Sequence, residues 1–76
     1  MELGAANPHE RAGLATVVRQ RRKQLGLRQE DLADLAGVSL RFVQALEGGK
    51  PSVQLDHVRA VLDTLGLRLV VEQVKR

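Results

Sequence analysis

The chain has 76 residues, room for one domain, and a domain so short buries too little apolar surface to be comfortably stable by itself. It holds no cysteine and only two histidines, His9 and His57, far apart and without ligands at zinc-like spacing, so oligomerisation is the expected brace and no cofactor or metal is expected. Net charge is +3, and no apolar run reaches about 18 residues or reads as a signal peptide, which excludes membrane insertion and points to a reducing bacterial cytoplasm.

Residues 1–8, with Gly4, Asn7 and Pro8, show no apolar periodicity and read as a mobile leader. A first helix is expected from about His9 to Leu25. Leu14, Val17, Val18 and Leu25 share one side of its wheel, Arg19 and Lys23 stand opposite, and Gly26 ends it. If Arg28 caps the next helix, Leu27 and Leu32 have the spacing of a hydrophobic staple and Asp31 lies near the positive N-terminus; this predicts a helix from about Gln29 to Ala36. Gly37 supplies the left-handed residue that stops it. Ser39 is an N-cap two positions on, with Val38 and Val43 as a second staple, so a third helix runs from about Leu40 to Glu47. Two short helices joined by so tight a glycine turn must cross steeply, which is the helix-turn-helix arrangement.

Gly48, Gly49, Lys50, Pro51 and Ser52 read as a loop, after which Leu55, Val58, Leu62 and Leu65 recur at helical spacing until Gly66. Leu67, Arg68, Leu69, Val70 and Val71 have the composition of a β-strand. A lone strand leaves its backbone groups unpaired, so the simplest partner is the same strand of a second copy, antiparallel about a two-fold axis. The chain thus divides into a leader (1–8), a helical body (9–66) and a dimerisation strand with its tail (67–76).

Charge is placed unevenly. Arg11, Arg19, Arg21, Arg22, Lys23 and Arg28 face only Glu2 and Glu10 over residues 1–28, and the acids Glu30, Asp31 and Asp34 follow. A solvated helix face would explain such a run taken alone; beside a helix-turn-helix it suits phosphate. On the third helix Val43 and Leu46 face inward, which leaves Arg41, Gln44 and Ala45 on the opposite face with Leu40 and Phe42 at its flanks. Arginine can read guanine O6 and N7 with two bonds, glutamine can read adenine, and Ala45 or Leu40 can touch a thymine methyl. No nucleophile–base set, carboxylate pair or phosphate-cradling glycine loop can be assembled, so an enzyme is not expected.

The stretch LGLRQEDLADLAGVSLRFVQALEGGK, residues 25–50, resembles the helix-turn-helix family of phage repressors and Cro, with Gln29, Leu32–Ala33, Gly37, Val43, Leu46–Glu47 and Gly49–Lys50 at the family spacing. Extended through LDTLGLRL to the terminal strand, the likeness is to the HipB-type antitoxins. The resemblance implies an all-α, lambda-repressor-like body of four helices, with one C-terminal β-strand paired across a homodimer. It further implies an inverted-repeat operator in duplex DNA, repression of the protein's own operon, and a HipA-like kinase toxin as partner; a stand-alone repressor shares the same core. By the same likeness Gln29 contacts phosphate, and Arg28, Lys50 and Ser39 can add to it, Ser39 also lying within reach of bases with Leu40, Arg41, Gln44 and Ala45. Arg22 and Glu47 match an internal salt bridge of the family. Two positions depart from the pattern: Arg28 replaces a Ser or Thr cap, and Leu40 replaces a polar residue at the head of the recognition helix.

Overall fold

A computed structural model of the chain describes residues 9–50 and 54–74. The expected leader, Pro51 and Ser52 of the loop and the last two residues of the tail lie outside the described residues. Four helices follow one another: α1 His9–Gln24, α2 Gln29–Ala36, α3 Leu40–Glu47 and α4 Leu55–Thr64.

The inward face of α1 is formed by Ala15, Val18 and Arg22, with Leu14 half-buried beside them. This corrects the apolar wheel. Val17 is 46% exposed and Leu25, already past the helix, 44%. A wheel that counts apolar side chains alone cannot foresee that a charged residue takes an inward position, and here Arg22 does so because an acid waits for it.

The starts of α2 and α3 are set by different chemistry. At α2 the Asp31 carboxylate accepts from the Arg28 N–H at 2.8 Å, satisfying a donor just outside the helix, while the arginine side chain has no acceptor with which to return the bond. At α3 the Ser39 hydroxyl oxygen accepts from the Phe42 N–H at 3.0 Å, the usual serine cap. Between them Gly37 stands at φ 73°, ψ 31°, and the Gly37 and Val38 N–H groups close the end of α2 on the Asp34 and Ala33 carbonyls. Space around Gly37 is open, so glycine is required there by backbone conformation and not by crowding.

Val18, Leu32, Ala33, Val43, Leu46, Val58, Val61, Leu62 and Leu65 make the core, with Leu27, Val38, Phe42 and Leu67 packed at its margin. Helix α2 lies against α3 and α4, and α1 lies against α3. On α4 the buried stripe is Val58, Val61, Leu62 and Leu65; Leu55, expected within it, is 57% exposed, because the buried face begins one turn further on. None of the helices among the described residues is long and apolar enough to cross a membrane.

Beyond α4 the Leu67 N–H bonds to the Leu62 carbonyl at 2.8 Å, and the Arg21 Nε donates to the Leu65 carbonyl at 2.9 Å, tying the end of α4 to α1. The expected strand over Leu67, Arg68, Leu69, Val70 and Val71 is absent: residues 67–74 carry no regular structure, and no strand occurs among the described residues. A strand exists through its ladder, and the single chain offers no second one. Leu67 stays packed on the core, whereas Leu69, Val70, Val71 and Val74 are exposed, Val71 to 92%.

Candidate nucleic-acid interface

Helix α3 is held from behind by Val43 and Leu46, both in the core, and by the buried Glu47. That anchoring turns Arg41 and Gln44 fully outward, leaves Leu40 41% exposed and keeps Ala45 half-buried. Ser39 is exposed at the head of the helix, with its oxygen engaged as the cap acceptor and its hydroxyl proton still available. The first turn of α3 carries no acidic residue, so its partial positive charge meets only the Arg41 side of the protein. Phe42 sits on the flank, half-buried, with its ring edge-on to His57 of α4 at a centroid distance of 5.2 Å and an interplanar angle of 84°. His57 is a surface residue that also covers this ring, a contact between separate helices that no spacing in the sequence announces.

A second group lies at the head of α2. Arg22 donates through Nε and Nη2 to the two oxygens of Glu47, at 2.7 and 3.0 Å, and through Nη1 to the Leu27 carbonyl at 2.9 Å. Gln29, half-buried, donates through Nε2 to the same carboxylate at 3.1 Å. Burial pushes the Glu47 carboxyl up, but the hydrogen bonds from Arg22 and Gln29 and the charge of Arg22 prevail and hold it below the usual carboxylate range; the bond to Glu47 correspondingly raises Arg22. One buried acid therefore joins the end of α1, the following turn, the first residue of α2 and the last residue of α3.

Arg28 is exposed, but its guanidinium is not free. It grips Asp31 through Nε at 3.1 Å and Nη2 at 3.0 Å, and Nη1 lies 3.8 Å from Glu30. The hydrogen bond from Arg28 holds the Asp31 carboxyl below its usual range. The spacing of an N-cap residue and the third residue of the helix was the available signal for this pair. Lys50 is exposed just after Gly49, and its backbone N–H closes on the Ala45 carbonyl at 3.1 Å. The structure thus brings Ser39, Leu40, Arg41 and Gln44 together on or beside one outward face of α3, and sets Gln29 and Arg28 at the head of α2. It turns Gln29 and Arg28 partly toward acids of the protein itself. No group of side chains that could hold a metal occurs among the described residues.

Two short helices linked through a left-handed glycine, the second presenting an exposed polar face from a fixed core, define a helix-turn-helix protein. The chain belongs to the helix-turn-helix family, whose sequence profile matches residues 18–71. It is 51% identical over 55 residues to the "Uncharacterized HTH-type transcriptional regulator y4mF" of Sinorhizobium fredii, covering 72% of each chain. It is 46% identical over 46 residues to an "Uncharacterized HTH-type transcriptional regulator" of Methanothermobacter thermautotrophicus, covering 58% of this chain and 67% of that one.

Proposed function

We propose that the chain is a DNA-binding transcriptional regulator that reads an inverted-repeat operator as a homodimer and represses transcription. The observation that carries this reading is the outward face of α3, where Arg41 and Gln44 project from a helix whose opposite side is locked into the core. An arginine and a glutamine three residues apart on such a helix are the side chains suited to guanine and adenine edges in a major groove. Phosphate contacts from Gln29, Lys50 and Arg28 fix the register, with Arg28 exchanging Asp31 for phosphate on binding. The regulators named among its relatives support the same reading.

The dimer is built on residues 67–71, whose exposed Leu69, Val70 and Val71 are left without cover in the single chain and gain a ladder when paired with a second copy. The finer role is that of an antitoxin and autorepressor whose partner is a HipA-like kinase toxin. A stand-alone regulator is the second reading, favoured by the names of the relatives, which mention regulation alone. Selection of sites from random duplex with the purified protein tests the central proposal: an inverted repeat should be enriched. Enrichment of none, or of single-stranded ligands only, refutes it. Co-expression with a kinase encoded beside the gene separates antitoxin from stand-alone regulator, since only an antitoxin forms the complex and relieves toxicity.

A further inference from the structure

Glu47 accepts more hydrogen bonds than its ion pair requires. Two come from Arg22, and the third comes from the side-chain amide of Gln29 at 3.1 Å. Gln29 is the first residue of α2, so its backbone N–H is among the donors that no carbonyl of the helix can reach. A primary amide carries an oxygen and a nitrogen of nearly equal size and can present either end. A carboxylate only accepts. Glu47 therefore removes the choice: the nitrogen must face it, one Nε2–H is engaged, and the second remains on a nitrogen that can no longer turn away.

We infer that Glu47, buried and out of reach of any nucleic acid, is a positioning residue for a phosphate contact at Gln29, fixing the amide so that its second Nε2–H and the backbone N–H at the head of α2 serve one phosphate oxygen. The inference rests on the proposed binding of duplex DNA. It gives the buried pair a role beyond holding α1 to α3, because Arg22 fixes the acid, the acid fixes the amide, and the amide meets the ligand. Arg22 also holds the Leu27 carbonyl in the turn just before α2, so the chain position of Gln29 and the orientation of its side chain are set by one network.

The test turns on a sign. Glu47→Gln removes a negative charge, which by charge alone favours DNA slightly; loss of positioning does the reverse. The expected result is a fall in affinity per folded molecule of roughly three- to tenfold, the size of one hydrogen-bonded contact. It should be equal for operator and random duplex, with no change in salt slope because no cation is lost. Gln29→Ala should show the same fall, and the double variant no further one. Unchanged or tighter binding by Glu47→Gln, or additive losses in the double variant, overturns the inference. If Glu47→Gln does not fold, the side-chain amide of Gln29 in the unaltered protein decides by NMR. One of its two protons should be protected from exchange and the other should shift when duplex is added; two equivalent, unprotected protons overturn the inference. Failure of the unaltered protein to bind any duplex is a separate result, seen before any variant is made, and removes the DNA-binding reading together with this one.

Discussion

Glu47 survives in the core only while its donors remain, and Arg22 provides the larger part of them. Arg22→Ala leaves a buried carboxylate with Gln29 as its one remaining side-chain partner, which costs on the order of 3 to 5 kcal/mol for a buried pair. That is a large share of what a small domain holds in total. The expected outcome is a strongly lowered midpoint in thermal melts followed by circular dichroism, with a smaller change in DNA affinity per folded molecule. A normal melt combined with a shallower salt slope would instead make Arg22 a phosphate clamp. Acid should act on the same carboxylate. Its pKa in the folded chain lies below the ordinary value, so its contribution to stability is complete above the ordinary carboxylate range and is lost as pH falls through the folded-state value. Melting midpoints should therefore drop as pH falls below about 4. Glu47→Gln should flatten that decline, and an unaltered decline would place the acid sensitivity elsewhere. Asp31 shifts in the same direction, but it stands in solvent, where such pairs contribute little.

At the scale of the helix, α3 has eight residues, too few to persist alone, and it owes its existence to the Ser39 cap and the burial of Val43 and Leu46. Its outer face is thus free to be chosen for recognition. Arg41→Ala and Gln44→Ala are each expected to lose about 1 to 3 kcal/mol on the preferred site and to relax discrimination at one position per half-site. Lys50→Ala should weaken all sequences alike and reduce the salt slope by about one. Titrations of operator and random duplex at fixed salt separate the two, and equal losses on both for Arg41→Ala would make that arginine a phosphate contact. The bounds of α2 and α3 were legible because local chemistry writes them: Gly37 and Ser39 act on their own neighbours. The inward face of α1 was less so. Apolar periodicity nominated Val17 and Leu25, whereas the fold uses Ala15 and the charged Arg22, whose burial depends on an acid 25 positions away. The bond from Gln29 to Glu47 and the contact of Phe42 with His57 were hidden for the same reason, since each joins separate helices and has no periodicity of its own.

For the whole molecule, the core is small and the exposed apolar side chains gather beyond α4, at Leu69, Val70, Val71 and Val74. If residues 67–71 build the proposed dimer, removing residues 67–76 should give a monomer with a lowered melting midpoint and strongly weakened operator binding, read by sedimentation and melting. A truncated chain that is still dimeric would place the interface elsewhere. The bonds at the root of this segment carry one more consequence. Arg21 holds the Leu65 carbonyl and Leu67 holds that of Leu62, so the segment leaves a body to which its first residues are bolted. A pair joined through such roots has little slack at the hinge and works as a caliper set to one gauge. One base pair inserted between half-sites rotates the second by about 34° around the duplex, and the jaws cannot follow. Operators lengthened or shortened by one base pair should bind little better than random duplex, whereas Arg21→Ala should loosen the caliper and let the neighbouring spacings regain affinity.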